Sequence, residues 1–298
     1  MRPQISPRAF SRTAALALAL LCVIVLTGAL VRLTGSGLGC EDWPRCNDRR
    51  FVDISSGHAA IEQLNRLFTG LVSASVVAAV LTAHLRRPRR RDLVLLAWGL
   101  VAGVLAQIVI GGVVVLTGLN PYANMAHFIV SMLLVACAFM LERSSRLGSV
   151  ASVLRPVPAS LRLVWSALVA ASAVAIVTGT VVTATGPHAG GEDAVRFGFA
   201  LTSVARVHSA SVIVAVSLLV TCLLRARRLP GTEAASLLQA LSTMGFVAVL
   251  QGGIGYLQYF TGVPVVLVAF HIAGATAFWL ATCNVLFAPR PDEVLPRG

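Results

Sequence analysis

The chain has 298 residues, of which 57% are hydrophobic and only 12% are charged. A soluble domain of this length carries about 25% charged residues, so the composition excludes an ordinary water-soluble globular protein. The formal net charge of +12 could suit nucleic-acid binding, but the basic residues lie in short blocks between apolar segments. Blocks in that position orient membrane proteins, so we expect lipid and not nucleic acid around this chain.

Eight apolar segments are long enough to cross a membrane, which takes roughly 20 mostly apolar residues. The first is longer than the roughly 7–15 residues of the apolar part of a signal peptide, and no small-residue cleavage site follows it. It is therefore predicted to be the first membrane helix. The predicted fold is an all-α polytopic membrane protein with eight transmembrane helices, at approximately 14–31, 60–83, 93–116, 123–141, 161–183, 203–224, 234–258 and 264–287.

The distribution of arginine predicts the orientation of these helices. All 24 basic residues are arginine. An even number of helices puts both termini on one side, and that side holds 17 arginines against seven on the other. The positive-inside rule then places both termini in the cytoplasm. The loops at 34–59 and 186–202 are predicted to lie outside.

The sequence also contains an internal repeat. Five residues recur unchanged at an offset of 144, over two predicted helices and their connection: Gln107, Gly111, Thr117, Gly118 and His127 match Gln251, Gly255, Thr261, Gly262 and His271. Two Thr-Gly pairs, at 27–28 and 34–35, recur at an offset of 151. The pattern predicts two pseudo-symmetric four-helix halves, at residues 1–150 and 151–298, related by an axis along the membrane normal.

Three histidines lie near the predicted outer ends of membrane helices. They are His127 on helix 4, His208 on helix 6 and His271 on helix 8, and Asn65 on helix 2 falls opposite His208 at an offset of 143. Two neutral imidazoles on facing helices suit the iron of a b-type haem. Alternatively, a histidine at a helix end simply hydrogen-bonds a loop carbonyl, which is a weaker explanation for three at matched depth.

The other three histidines carry less information. His84 stands at the predicted cytoplasmic end of helix 2 beside an arginine block and is interpreted as an interfacial residue. His58 and His188 lie in the outer loops, and each could be a ligand, a gate or neither.

Glu62, Asn65 and Arg66 stand together where helix 2 is predicted to begin. Glu62 and Arg66 have the spacing and order of a helical ion pair, so a plain interfacial salt bridge is one interpretation. However, ionisable groups in membrane segments are functional-site candidates by default, and Glu62 shares a helix face with Asn65. A carboxylate there could stabilise developing positive charge or accept a proton, and we favour this catalytic interpretation.

Cys40 and Cys46 lie close together in the long outer loop. Outside the cytoplasm two such thiols favour a disulfide. A structural zinc would need four ligands, and the loop adds only His58. The disulfide is therefore the preferred interpretation.

The stretch RLTGSGLGCEDWPRCN at 32–47 resembles the outer loop of haem A synthases, which carry a TGSGLxCPDWPxC-like segment after their first helix. The eight helices, the two halves, the glutamate opening helix 2 and the histidines on helices 4, 6 and 8 are also similar to that family. The resemblance covers essentially the whole chain, and the loop segment is its most specific part.

The resemblance implies an oxidoreductase of the bacterial cell membrane that converts haem O to haem A for cytochrome oxidase, oxidising a porphyrin methyl group to a formyl. It implies a haem b between His208 and His271 as cofactor, and haem O bound as substrate near His127. Glu62 would be the catalytic carboxylate. Membrane lipid, haem O synthase and cytochrome oxidase assembly are the implied partners, with the redox partner unidentified.

The resemblance also implies a Cys40–Cys46 disulfide. It places Asn65 and Arg66 at the substrate site, with one departure. Many members of the family have histidine at the position of Asn65, so the chain reads ExxNR instead of ExxHR. Two axial histidines at the substrate haem are therefore not expected. The rival functions are a di-haem b-type electron carrier and a transporter built from repeats.

Overall fold

The computed structural model describes residues 4–147, 153–191 and 194–287. Within these ranges the chain forms eight helices and no strand beyond isolated bridges. Each helix is long and apolar enough to cross a membrane. The predicted class of multi-pass, all-α membrane protein is confirmed. The helices are α1 (Pro7–Leu33), α2 (Gly57–Leu85), α3 (Arg91–Leu116), α4 (Pro121–Arg146), α5 (Ala159–Thr185), α6 (Leu201–Ala226), α7 (Thr232–Phe260) and α8 (Val265–Leu286).

Helices α1 and α2 begin at polar caps that hydrophobicity alone does not reveal. Helix α1 begins at Pro7, well before the predicted residue 14, because the Ser6 hydroxyl accepts a hydrogen bond from the backbone N–H of Ala9 at 3.2 Å. Proline is favoured at the first helical position, where its missing N–H costs nothing. The Ser56 hydroxyl caps α2 in the same way. Capping residues therefore extend these two helices beyond their apolar runs.

The eight helices form two four-helix bundles, α1 to α4 and α5 to α8. Each bundle has its own cluster of buried apolar side chains. The two bundles meet where α1 and α4 pack against α5 and α8. The predicted boundary between the halves, at residues 150 and 151, lies outside the described residues.

The two bundles share the same unusual turn. The α3–α4 turn contains Gly118 and Leu119 with φ of 62° and 63°, and the α7–α8 turn contains Gly262 and Val263 with φ of 80° and 59°. Two successive residues in the left-handed region are uncommon, and glycine adopts it most readily. The recurrence of Thr-Gly at an offset of 144 thus reflects the same turn conformation in both bundles.

Polar contacts join the two bundles. The indole N–H of Trp279 on α8 donates to the carbonyl of Met132 on α4 at 2.8 Å. Nearer the opposite end of the two bundles, the Arg143 guanidinium on α4 donates to the Asn284 side-chain oxygen on α8 at 2.6 Å. These bonds satisfy polar groups that would be costly to leave unpaired in an apolar interface.

The loop segments at 34–56, 117–120, 186–191, 194–200 and 261–264 all lie at one end of the described structure, which we call the long-loop end. The opposite end holds the start of α1 and the end of α8: Ile5 pairs with the end of α2, and Leu154 pairs with Phe287. Large apolar side chains such as Leu163 and Phe260 project outward from the bundles, as a lipid-facing surface requires. The side of the membrane that each end faces stays a prediction.

Candidate functional site

His208 on α6 and His271 on α8 face each other near the long-loop end of the C-terminal bundle. Their ring centroids are 6.5 Å apart and the ring planes are nearly perpendicular, at 86°. Both rings are largely buried. The pairing expected from their matched depth is therefore present in the structure.

Each ring is held by a neighbouring helix. The His208 Nδ1 atom lies 3.0 Å from the Thr178 hydroxyl on α5, and Gly179 packs so closely that a Cβ there would lie 3.2 Å from the His208 ring. Gly255 on α7 stands against the His271 ring in the same manner, at 3.0 Å. Glycines at these positions give the imidazoles the space that they occupy.

The histidine pair fits an iron porphyrin better than a bare metal ion. A metal–imidazole bond is about 2 Å long, so two rings ligating one metal from opposite sides have centroids roughly 6 Å apart. The Thr178 contact occupies His208 Nδ1 and leaves Nε2 for a metal, the usual arrangement of a ligating histidine. The described residues contain no group of three or more metal-binding side chains, whereas a porphyrin supplies its own nitrogen ligands.

The N-terminal bundle repeats half of this arrangement. His127 on α4 occupies the position equivalent to His271, and Gly111 on α3 packs against its ring at 3.4 Å. The Gln107 amide donates to the His127 carbonyl at 3.0 Å, as the Gln251 amide does to His271 at 2.7 Å. The Nδ1 atoms of both histidines are buried with no hydrogen-bond partner in the described part of the chain.

Asn65 on α2 is the counterpart of His208. The Thr27 hydroxyl on α1 donates to the Asn65 side-chain oxygen at 2.8 Å, just as Thr178, its repeat partner, contacts His208. Equivalent threonines thus contact an imidazole ring in the C-terminal half and an amide in the N-terminal half. The two halves have the same framework but differ at this ligand position.

Glu62 lies at the junction of α2 and the loop at 34–56. Its side chain is buried, with 5% of the residue exposed. One carboxylate oxygen accepts a hydrogen bond from the backbone N–H of Cys40 at 2.8 Å, and the other accepts from Arg66 at 2.6 and 3.0 Å. The predicted ion pair with Arg66 is present, but it belongs to a buried network and is not an exposed bridge.

Arg66 continues this network into the loop. Its guanidinium also donates to the carbonyls of Asp42 and Arg45, at 3.2 and 3.1 Å. These residues lie within the loop that is closed by the disulfide between Cys40 and Cys46, which the structure contains as predicted. Glu62 and Arg66 together fasten the disulfide loop onto the start of α2.

The remaining histidines have hydrogen-bonding roles at the ends of helices. His58 is exposed and contacts the Ser36 hydroxyl at 2.9 Å. His188 contacts the Val263 carbonyl at 2.7 Å and joins the α5–α6 loop to the α7–α8 turn. His84 contacts the Val80 carbonyl in its own helix, at 2.9 Å.

Sequence reasoning identified two pairs of polar residues as repeats but did not assign them to the site. The pairs are Thr27 with Thr178 and Gln107 with Gln251, and each member positions a ligand-type side chain or its backbone. Their recurrence at a fixed offset in the sequence was the signal that could have assigned them to the site. Polar side chains recurring at a fixed offset within apolar helices need a common polar partner.

These features define the class: a multi-pass α-helical membrane protein with repeated halves, each placing ligand-type side chains near the long-loop end. The chain belongs to the COX15-CtaA family, described as cytochrome oxidase assembly protein, whose model matches residues 11–59 and 52–190. The matched region covers most of the N-terminal half, α5 and the start of the following loop.

Curated relatives point the same way. Proteins named heme A synthase from Geobacillus kaustophilus and Listeria welshimeri are 35% and 34% identical to the chain over 122 residues. One from Lysinibacillus sphaericus is 33% identical over 121 residues. Each match covers 40% of this chain and between 38% and 40% of the relative. The chain thus matches about two fifths of the length of these relatives.

Proposed function

We propose that the protein is a haem A synthase, which oxidises the methyl group of haem O to a formyl. The observation that carries this proposal is a difference between two repeat-related sites: the helices are equivalent, but the ligand-type side chains are not the same. The C-terminal half pairs His208 with His271, whereas the equivalent positions of the N-terminal half hold Asn65 and His127. One site then suits a permanently bound cofactor, and the other suits a haem that is bound, altered and released. The names of the relatives support the same activity.

In this proposal His208 and His271 would hold haem b through its iron. When bound, haem b supplies one-electron transfer between the substrate site and a redox partner. The protein contributes the ring orientation through Thr178 and the close approach of α5 and α7 through Gly179 and Gly255. These contacts restrict the orientation of both imidazoles.

The substrate haem O is assigned to the N-terminal half, with His127 as its only axial ligand from the helices. An amide is a poor ligand for haem iron, so Asn65 leaves the opposite face of the porphyrin open. Because Thr27 donates to the Asn65 oxygen, the amide N–H groups remain free to hydrogen-bond a water or the porphyrin edge.

Glu62 and Arg66 are assigned to the same substrate site. Oxidation of a methyl group builds positive character on its carbon, which a carboxylate can stabilise. Both oxygens of Glu62 already accept hydrogen bonds, from Cys40 and Arg66. We therefore assign Glu62 two linked tasks: it holds the disulfide loop over the site and provides negative charge beside the reacting carbon. Arg66 positions that carboxylate.

The rival function of a di-haem electron carrier needs a fourth axial ligand. The position equivalent to His208 is occupied by Asn65, which argues against a second permanent haem. A repeat-built transporter is also disfavoured, because transporters usually place broken helices at mid-membrane. Here the polar side chains gather toward the long-loop end of helices α2, α4, α6 and α8.

We assign the protein to the bacterial cell membrane with the long-loop end outside and both termini in the cytoplasm. The arginine distribution supports this orientation. The Cys40–Cys46 disulfide supports it independently, because disulfides persist in oxidising compartments. Haem O synthase and cytochrome oxidase assembly proteins are the proposed partners.

The test uses cells that make haem O but not haem A. One culture expresses this protein, and a control culture expresses a redox-inactive membrane protein in its place. Haems are then extracted and identified by mass. The proposal expects haem A only where this protein is present. Haem O and haem b alone, with the protein folded and haem b-loaded, would overturn it.

A further inference from the structure

Arg32 is a cation that the substrate chemistry described above does not use. It lies in the last turn of α1, at the long-loop end, and its residue surface is largely buried. Its Nε atom is buried without a hydrogen-bond partner among the described residues. A guanidinium is always charged and carries five N–H donors. A buried guanidinium nitrogen without a partner is costly in a membrane protein, and it marks the side chain as a functional candidate.

The side chain is held in place by the loop from the other half. A Cβ added to Gly190 would lie 3.2 Å from Arg32 Cγ and 2.9 Å from Leu119. The Gly190 carbonyl accepts a hydrogen bond from the backbone N–H of Gly37 at 3.0 Å. The stem of Arg32 is thus packed under the α5–α6 loop, which restricts where its guanidinium can go.

The helix face of Arg32 is the face that lines the N-terminal site. Residues four apart lie on one side of a helix, so Arg32 stands one turn above Gly28. The repeat partner of Gly28 is Gly179, which packs against the His208 ring. A Cβ on Gly28 itself would meet nothing within 4 Å. By this repeat relationship, the Arg32 position lies one helical turn from the Asn65 side of the bundle, toward the long-loop end.

The position equivalent to Arg32 in the C-terminal half does not hold a cation. At an offset of 151 the position of Arg32 corresponds to Thr183, whose hydroxyl donates to the carbonyl of Gly179 in its own helix at 3.0 Å. The repeat keeps the neighbouring Thr-Gly pairs but not the charge. If the arginine served only to end the helix, the equivalent position in the other half would be expected to hold a cation too, and it holds Thr183.

We propose that Arg32 binds a propionate carboxylate of the substrate porphyrin. This inference rests on the proposed function of the N-terminal site. Haem O is apolar over most of its ring and carries its two carboxylates on one edge. A carboxylate and a guanidinium make paired, charge-assisted hydrogen bonds. Binding at Arg32 places that edge at the long-loop end and fixes which edge of the ring lies deeper in the bundle.

The test is a binding titration of the full-length, haem b-loaded protein with haem O and with haem O dimethyl ester, followed by optical absorption. The ester has the same ring but no carboxylate charge. Arg32→Gln should weaken haem O binding about 10- to 100-fold, the loss expected for hydrogen bonds to a charged group. It should leave ester binding unchanged. Arg32→Lys should recover part of the affinity for haem O.

Arg206→Gln is the matched control, because it removes an exposed arginine near the long-loop end of α6. It should bind both ligands as the unaltered protein does. The inference is overturned if Arg32→Gln and Arg32→Lys bind haem O normally, or if Arg32→Gln weakens haem O and ester equally. Failure of the unaltered protein to bind haem O would overturn the proposed function as well, and so is a distinguishable result.

Discussion

Among single side chains, Glu62 shows most clearly what the sequence could and could not predict. Its spacing to Arg66 predicted the ion pair, because helix geometry fixes which residues are neighbours. The bond from Cys40 could not be predicted, since it joins residues 22 apart through an irregular loop. Periodicity describes helices and carries no information about how a loop folds back.

Glu62→Gln is expected to lower haem A formation about 100-fold, the scale of loss when a reacting group is misplaced by about 1 Å. An amide can still accept from Cys40, but it cannot pair with Arg66 as a carboxylate does. Haem b content should be unchanged, because that site lies in the other half. The measurement is extracted haem A and haem b from purified membranes.

Arg66→Gln separates the two tasks of Glu62. If Glu62 acts only by holding the loop, both variants should lose the same activity. If its charge also acts on the reacting carbon, Arg66→Gln should retain more activity than Glu62→Gln, and this is the result we expect. A fully active Glu62→Gln protein would leave Glu62 with no role beyond the ion pair.

Asn65→His is expected to convert the N-terminal site into a copy of the C-terminal one. The Thr27 hydroxyl is already placed to contact an imidazole there, as Thr178 contacts His208. Haem O bound to the unaltered protein should be high-spin, and haem O bound to the variant should be low-spin. Electron paramagnetic resonance distinguishes these states. A low-spin haem O in the unaltered protein that persists in His58→Ala would contradict the single-ligand assignment.

At the scale of elements, the loop at 34–56 is the least regular part of the molecule and is held by specific polar bonds. Its disulfide was predicted. Its internal bonds were not, because turns built on side-chain hydrogen bonds leave only a weak sequence signal. Two predictions concern this loop.

Replacing Cys40 and Cys46 together by serine is expected to loosen the loop without unfolding the helices. The disulfide closes a loop with a sequence separation of only six, and the bundle cores lie elsewhere. Proteolysis should cut the loop faster, while haem b binding and helix content stay constant. Loss of haem b from this variant would show that the loop supports the whole fold.

The loop should also respond to acid through Asp53. Hydrogen bonds from the backbone and side chain of Ser55, with smaller contributions from Asn47 and Arg50, lower the pKa of Asp53 from 3.8 to about 2. Because the folded pKa is the lower one, this stabilisation is present above pH 3.8 and is lost as the pH falls from 3.8 toward 2.

The hydrogen-exchange rate of residues 47–55, corrected for the intrinsic rate, should therefore rise as the pH falls from 3.8 toward 2. Asp53→Asn should show raised exchange already at neutral pH and little further change in acid. An unaltered pH profile in Asp53→Asn would contradict this role for Asp53.

At the scale of the whole molecule, the repeat was the most informative part of the sequence. An offset of 144 correctly paired the α3–α4 and α7–α8 hairpins, because the first positive-φ position of each turn favours the same residue, glycine. It also paired Gln107 with Gln251. The packing between the halves, such as the Trp279 bond to Met132, could not be predicted, since it joins residues that have no repeat relationship.

The central claim is that two equivalent histidines serve different haems in the two halves. The most direct measurement compares His127→Ala with His271→Ala in cells supplied with haem O, and identifies the haems in each purified protein by mass and absorption. We expect His127→Ala to keep haem b and form no haem A. His271→Ala should lose the low-spin haem b spectrum. Loss of haem b from His127→Ala, or its full retention in His271→Ala, would contradict the account.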